Sequence, residues 1–217
     1  MHGIDEVKQA LELLQHHLPV TELAQLKNFN RAYLVITNNV RQQLRKGVFD
    51  DPAFISEFDA HFASFYFDAV KSYLDSSGAD ATPPAWTVAL QSSRYGHSSP
   101  FILMALGVNA HVNNDIPLVL WKLQVGDKHY KDYMRVNKII GNSILEVMDG
   151  LGKRSRSLWS TRPLVKFVYK PVMKLGISIW RYNAWRKYLR LKNGTMTKHS
   201  VEYRAQRNGN FLAKIPL

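Results

Sequence analysis

Residues 101–121 read FILMALGVNAHVNNDIPLVLW, and they place a dense polar motif inside one of the most apolar stretches of the chain. One histidine, one aspartate and three asparagines fall between Asn109 and Asp115. In a helix, residues four positions apart share a face, so His111 pairs with Asp115 and Asn109 pairs with Asn113. Polar residues on two faces, between strongly apolar turns, predict a helix that crosses the middle of a bundle.

Pro117 lies inside this predicted helix. Because proline has no N–H and its ring clashes with the preceding turn, it frees the carbonyl of Asn113 and kinks the helix axis. A kink beside a polar cluster can open a pocket. We therefore predict an all-α fold, a single multi-helix bundle with a kinked central helix that carries the polar motif.

Most of the remaining sequence also predicts helices, joined by short breaks. In residues 4–18 the apolar side chains recur every three or four positions, as they do on one helical face. Thr21 can cap a second helix that ends at Gly47, and Pro52 fits the first turn of a third. Further helices are predicted at about 86–96, at about 98–125, and from Asp132 or Asn137, either of which can cap the last one.

One helical bundle domain is predicted over residues 1–196. Its last part, from about residue 150, consists of basic and aromatic helices. Residues 197–217 are polar and irregular in sequence, so we predict an irregular C-terminal tail there. We find no alternating strand pattern of useful length and no internal repeat.

The chain has 217 residues, no cysteine and a formal net charge of +12. Without cysteine, a metal site must use His, Asp, Glu or Asn ligands. Residues 1–120 contain 8 Lys and Arg against 12 Asp and Glu, whereas the chain from Gly150 onward contains 16 basic residues and one acid, Glu202. Such asymmetry predicts an anionic partner for the C-terminal part.

The basic region is also rich in aromatic residues. Lys166, Lys170 and Lys174 follow one another at four-residue steps, and arginines alternate with tryptophans and tyrosines after Trp180. Such a stretch suits the surface of an anionic membrane, where the rings lie at headgroup depth. Alternatively, these helices only close the bundle. No nucleic-acid-binding motif accompanies the charge, so specific nucleic-acid binding is not expected.

The N-terminal sequence MHGIDEVKQALELLQHHL is acidic and amphipathic, without a basic-then-apolar leader. The longest apolar runs are shorter than the ~18–20 residues that span a bilayer. We expect a cytoplasmic protein, with peripheral contact at the inner membrane surface.

The polar motif predicts a metal site or an acid–base site. A His and a carboxylate four residues apart can bind one ion from a single helix, or the carboxylate can orient the His for proton transfer. Alternatively, the motif is a satisfied hydrogen-bond network in which the asparagines tie helices together. His97, in the turn RYGHSSP, can fold back over the pocket. Asp68 interrupts the aromatic segment FISEFDAHFASFYFDAVKSYL and would need a partner if buried.

Candidate roles follow from these positions. The predicted catalytic residues are His111, Asp115 and His97. The same three residues and Asp68 are the predicted ligands of a divalent zinc, iron or manganese ion. The residues predicted to bind substrate are Asn109, Asn113, Asn114, Tyr66 and Arg94.

GVNAHVNNDIPLVL, preceded by HFASFYFDAV and PPAWTVAL, resembles the motif of a mostly bacterial, all-helical family of unknown function, number 5995 in its series. DYMRVNKIIGNSILEV and NAW at 183–185 are similar to further segments of that family. The resemblance covers roughly residues 50–190. It implies an all-helical domain with Asn109, His111, Asn113 and Asp115 as motif residues, and no established reaction.

The His-x-x-x-Asp pair gives a looser likeness to zinc-dependent phospholipase C. This sequence lacks the second His-x-x-x-[Glu/Asp] helix of those enzymes, and Met1 stands where they have a tryptophan ligand. The likeness therefore implies at most a site for one or two metal ions.

Three functions are open on the sequence. The first is a metal-assisted hydrolase of a phosphoester or lipid-like substrate near a membrane surface. The second is a non-catalytic helical module that binds a lipid or another apolar ligand in the Phe-rich segment 54–74. The third is a metal-free acid–base enzyme, of isomerase or cyclase type, that uses His111 and Asp115.

Overall fold

The computed structural model describes residues 3–75, 82–96, 99–149 and 163–215, with side chains except at 145, 148–149 and 163–173. Within these ranges the regular structure is helical and no strand occurs, which confirms the all-α prediction. The helices, in chain order, are α1 (Ile4–His17), α2 (Lys27–Arg45), α3 (Pro52–Asp75), α4 (Pro84–Tyr95), α5 (Pro100–Val108), a π-helical segment (Asn109–Asp115), α6 (Ile116–Lys122), α7 (Tyr130–Asp149), α8 (Pro163–Lys192) and α9 (Lys198–Leu212).

Helix α2 begins later than the sequence predicts. Thr21 does not cap it, because short 3-10 turns at Leu18–Val20 and Ala24–Leu26 come between Thr21 and α2. The Thr21 hydroxyl instead donates to the carbonyl of Leu18 at 2.9 Å. The predicted end is confirmed. Gly47 has a φ of +67° just after α2, a conformation that favours glycine.

The prediction that Asp132 or Asn137 caps α7 is wrong. The carboxylate of Asp132 accepts hydrogen bonds from the backbone N–H groups of Asp50, at 3.0 Å, and Asp51, at 2.7 Å. It therefore satisfies free N–H groups at the start of α3 and ties α3 to α7. Asn137 lies in the middle of α7, where its side chain accepts from Arg181 of α8.

The π-helical segment lies at the centre of the bundle. It contacts α3, α4, α5, α6, α8 and α9, and all seven of its residues are buried. Around this centre, α1 packs on α2 and α3, α2 packs on α7, and α8 packs on α6 and α7. The prediction that the motif crosses the middle of a bundle is therefore confirmed.

The predicted irregular tail is helical from Lys198 to Leu212. Thr197 begins α9, because its hydroxyl accepts from the N–H of Ser200 at 3.2 Å. The helix packs on α4 and on the π-helical segment. Its buried residues recur at four-residue steps and are Val201, Ala205 and Gly209.

Helix α8 has two different faces. Ala184, Trp185 and Tyr188 are buried and close the core, whereas Leu175, Ile179 and Tyr182 are exposed. None of the helices in the described part of the chain has the length and apolarity needed to cross a bilayer.

Candidate functional site

The polar motif forms a π-helix. The N–H of Ile116 donates to the carbonyl of His111, five residues earlier, instead of the usual four. As predicted, Pro117 has no N–H to offer the carbonyl of Asn113, and the Lys187 ammonium of α8 donates to that carbonyl instead, at 3.0 Å. Burial lowers the pKa of Lys187 to about 8. The proline thus frees a backbone acceptor that joins the motif to α8.

Asp115 accepts three hydrogen bonds inside the core. Its Oδ2 accepts from the indole N–H of Trp86 and from Nδ1 of His111, both at 2.9 Å, and its Oδ1 accepts from the amide of Asn114 at 2.9 Å. The indole and the amide nitrogen can only donate, so the carboxylate is the common acceptor. The proton of His111 therefore lies on Nδ1.

Nε2 of His111 then has a free lone pair, because burial lowers the pKa of His111 and favours the neutral ring. No residue in the described ranges forms a hydrogen bond with Nε2. The ring is held by aromatic contacts. It stacks on Phe62 with centroids 3.4 Å apart and planes at 10°, and Tyr33 meets it edge-on at 4.7 Å. His111 is thus a fixed, unpaired base.

His111 lines a cavity of about 90 Å³ that lies among α2, α3, α7, α8 and the motif. The cavity wall is mainly apolar and includes Phe58, Phe62, Val112, Val136, Ile140 and Ile177. Since one water needs roughly 10–15 Å³ of such space, the cavity has room for several waters or a small organic molecule.

Four polar side chains from four different elements also line this cavity: Tyr33, Asp59, His111 and Arg181. The hydroxyl of Tyr33 and Oδ2 of Asp59 are buried and, like Nε2 of His111, lack a hydrogen-bond partner within the described chain. Leaving a buried polar group unpaired costs about 1–3 kcal/mol. Three such groups, in residues that line one cavity, leave hydrogen-bonding capacity there for a ligand or ordered water.

The titratable groups that line the cavity shift one another's pKa values. Burial raises the pKa of Asp59 to about 7, against the opposing effect of Arg181. Burial also raises the pKa of Tyr33, and the nearby Asp59 raises it further. The pKa of His111 is lowered by burial, although the hydrogen bond with Asp115 and the charge of Asp115 oppose this effect, and Arg181 lowers it a little further.

Arg181 is held in place by α7. Its guanidinium lies over the ring of Tyr133 at 4.4 Å, donates to the Tyr133 carbonyl at 3.2 Å and donates through Nε to the side chain of Asn137. Burial lowers the pKa of Arg181, while Tyr133 and Asp59 oppose this effect. The site therefore contains one fixed cation and one carboxyl group beside an unpaired histidine.

The motif asparagines hold helices together and do not line the cavity. Asn109 donates to the carbonyl of Ala205 in α9 at 2.8 Å and accepts from Asn113 at 3.1 Å. Asn114 donates to Asp115. These contacts match the alternative interpretation of the asparagines as a hydrogen-bond network between helices.

Tyr66, Asp68 and Arg94 are not among the residues that line the cavity. Tyr66 packs near His111, with ring centroids 6.1 Å apart, and its hydroxyl donates to Asn30 at 3.2 Å. Arg94 forms an ion pair with Glu22 at 3.0 Å on the surface, and Asp68 is exposed. His97 lies outside the described residues.

The predicted metal ligands His111 and Asp115 form a hydrogen-bonded pair in this structure. Nδ1 of His111 and Oδ2 of Asp115 hydrogen-bond to each other, and the second carboxylate oxygen of Asp115 is taken by Asn114. Across residues 3–75, 82–96, 99–149 and 163–215, no group of three or more His, Asp and Glu could hold a metal ion. A bound metal stays a prediction, since His97 is not among these residues.

Sequence reasoning missed Tyr33, Asp59 and Arg181 as site residues. Each had a signal in the helical spacing. Tyr33 lies four residues after the buried Phe29, and Asp59 lies three residues before Phe62, on the same face of α3. Arg181 lies four residues before Trp185 and therefore on the buried side of α8.

The fold and the motif define an all-helical protein with a polar π-helix at its centre. The sequence model of a "Family of unknown function (DUF5995)" matches residues 4–215, so the chain belongs to this family. The match extends beyond residues 50–190, where the resemblance was expected. No curated protein and no solved structure matches the chain, so the looser likeness to phospholipase C gains no support.

Proposed function

We propose that the protein is a metal-free acid–base enzyme in which His111 takes a proton from a small, mainly apolar substrate. The observation that carries this proposal is the unpaired Nε2 of His111 at the cavity wall, with Nδ1 fixed by Asp115. This is the third of the functions that the sequence left open.

The arrangement suits a general base. A base acts best when its geometry is fixed in advance and it is unprotonated at working pH. Stacking on Phe62 fixes the ring, and burial lowers the pKa of His111 so that it is neutral near pH 7. When Nε2 accepts a proton, the imidazolium forms beside Asp115, which stabilises it.

The cavity limits the substrate. A volume of about 90 Å³ is smaller than the ~150 Å³ cavity that accommodates benzene in another protein. We therefore expect a compact molecule with an apolar body, such as a small carbonyl compound with an acidic C–H group. A lipid headgroup or a phosphoester is a poorer fit to this wall.

The proposal can be tested by exchange of the α-hydrogens of acetone and butanone in D₂O, followed by NMR. We expect exchange above the buffer rate, and a loss of about 100-fold or more in His111→Gln, which lacks the base. His61→Gln makes the same change at a half-buried histidine outside the cavity wall and should leave the rate unchanged.

A blocked cavity and a chelator complete the test. Ala32 lines the cavity, so Ala32→Leu should slow exchange by reducing the available space. EDTA should have no effect. Equal exchange in the native protein and in His111→Gln would overturn the proposal, as would no exchange with either ketone. Loss of exchange with EDTA would favour the metal-assisted hydrolase instead.

We also propose peripheral contact with an anionic membrane through α8. Leu175, Ile179 and Tyr182 are 62%, 47% and 45% exposed and follow the three-to-four spacing of one face. The guanidinium of Arg186 lies 6.0 Å from the Tyr182 ring. From Gly150 to the end of the sequence the only acid is Glu202, so the charge of this part complements an anionic surface.

A further inference from the structure

We propose that Asp59, in its protonated form, is the acid that works with His111, so that the site moves a proton within one small carbonyl compound. This inference rests on the proposed function and adds a second catalytic group and a reaction type. The reaction is an isomerisation: one group removes a proton from carbon while the other delivers a proton to oxygen.

The first support is the position of Asp59. It lies one turn before Phe62 on α3, and Phe62 stacks directly on His111. Both Asp59 and His111 line the same cavity, and each presents a buried atom without a hydrogen-bond partner in the part of the chain that the structure describes. A ligand in this space therefore lies against both side chains.

The second support is the charge around Asp59. The charged group that acts on Asp59 is Arg181 of α8, which lowers its pKa and whose guanidinium is fixed by Tyr133 and Asn137 of α7. Tyr33 of α2 and His111 complete the titratable groups of the cavity wall. Within the described chain none of these forms a hydrogen bond or an ion pair with Asp59, and burial raises its pKa to about 7, so that the carboxyl carries a proton below that pH.

The proposed step balances without an oxidant or a cofactor. Nε2 of His111 takes the proton of the C–H bond next to the carbonyl, and the electron pair of that bond forms a C=C bond. The carbonyl π electrons move to oxygen, which takes the proton of Asp59. The product is an enol, with His111 protonated and Asp59 ionised. An isomer results when the substrate has a C=C bond next to the carbon that loses its proton, so that the enol is a dienol. Return of the His111 proton to the far end of that dienol, and of the enol proton to Asp59, gives the conjugated carbonyl compound and restores the site.

The protonation states of His111 and Asp59 limit the pH range in which the reaction is fast. His111 must be unprotonated, and burial lowers its pKa below the ordinary value of 6.5. Asp59 must be protonated, and its pKa is about 7. The rate should therefore rise as His111 loses its proton and fall again as pH increases through about 7.

Asp59→Asn tests the inference in the butanone exchange reaction, with KM and kcat measured separately across pH 4.5–9. The amide keeps the shape of the carboxyl but cannot deliver its proton to oxygen. We expect kcat to fall by about 10- to 100-fold, with KM nearly unchanged, and the fall above pH 7 to disappear. In Asp59→Ala, formate should restore part of the rate, because formic acid can occupy the space that the carboxyl leaves.

The outcomes separate the two proposals. If His111→Gln abolishes exchange while Asp59→Asn leaves kcat and the fall above pH 7 intact, this inference is wrong and the proposed function stands. If neither variant changes the rate, both fail. Should the Asp59 variants not fold, the ¹³C NMR titration of Asp59 in the native protein decides: a midpoint below pH 5 overturns the inference, and a midpoint near 7 supports it.

Discussion

Gly107 and Phe29 approach so closely that a Cβ atom on Gly107 would lie 2.6 Å from Cδ2 of the Phe29 ring. This contact joins α5 to α2 directly before the polar motif, and Phe29 also lines the cavity beside His111. The glycine of GVNAH is therefore required by packing, since real Cβ atoms do not come this close to a ring.

Gly107→Ala should destabilise the protein by about 1–3 kcal/mol, as overpacking of a tight core does. Denaturant unfolding measures this difference. Gly176→Ala, in the interior of α8, provides the control, because in the described part of the chain no group other than its own helix and its chain neighbours lies within 4 Å of its Cβ position. There the better helix propensity of alanine should increase the free energy of unfolding by at most about 1 kcal/mol. A Gly107→Ala protein as stable as the native one would contradict this packing.

Asp115→Asn should change the tautomer of His111. The amide has one acceptor oxygen where the carboxylate serves Trp86, Asn114 and His111, so buried donors lose their acceptor, at a cost of roughly 1–3 kcal/mol each. The proton of His111 is then no longer held on Nδ1. ¹⁵N NMR of labelled histidine should show Nδ1–H in the native protein and a mixture of tautomers in the variant.

Trp86→Phe is the matched control for this change. It removes a donor from the same carboxylate oxygen and leaves the bond from His111 in place. We expect it to cost stability while His111 keeps its proton on Nδ1. The same tautomer in Asp115→Asn as in the native protein would mean that Asp115 does not control the histidine.

Asp59 should make the native protein less stable as pH increases from about 4 to about 7. Its pKa is raised from 3.8 in the unfolded chain to about 7 in the folded one, so the folded state binds a proton that the unfolded state has lost. The stability contribution is complete below pH 3.8 and disappears as pH rises through 7. The full difference corresponds to roughly 4 kcal/mol.

Asp59→Asn removes this titration, so the variant should gain stability relative to the native protein between pH 4 and pH 8. Urea unfolding at pH 4, 5.5, 7 and 8 measures the trend. The exposed Asp68→Asn is the control and should show a constant difference. A constant difference for Asp59→Asn would argue that the carboxyl is ionised in the folded protein across this range. His111 acts in the opposite direction, because its lowered pKa makes stability fall as pH decreases below 6.5.

The sequence predicted the local part of this site and not its tertiary part. The pairing of His111 with Asp115 depends only on positions four residues apart in one helix, so it could be read from the motif. Asp59 and Arg181 come from α3 and α8 and meet His111 only after folding. The sequence favoured Asp68 over Asp59, although Asp59 shares its helix face with Phe62 and Asp68 is exposed.

The same distinction explains the errors at the helix ends. Thr197 was a suitable cap, but the polar residues after it concealed the short apolar residues of α9. Those residues are Val201, Ala205 and Gly209, and their side chains are small or absent. They form a buried face because α9 packs there on α4 and on the π-helical segment. Aspartate is a residue type that often caps its own helix. The carboxylate of Asp132 instead accepts from the N–H of Asp51 at the start of α3, 81 residues away in sequence.

Leu175→Ser with Ile179→Ser should weaken binding of the protein to anionic vesicles at least tenfold. If both side chains insert into the membrane, replacing them by serine weakens the free energy of binding by more than about 1.4 kcal/mol, which is tenfold in affinity. Flotation with vesicles containing 30% phosphatidylserine measures the bound fraction. Binding should also decrease as salt increases, because the Lys and Arg contribution is screened.

Val20→Ser, at a residue 85% exposed between α1 and α2, is the control. Equal flotation of the native protein and the double variant would exclude α8 as the membrane-binding face, and binding unaffected by salt would exclude its basic residues.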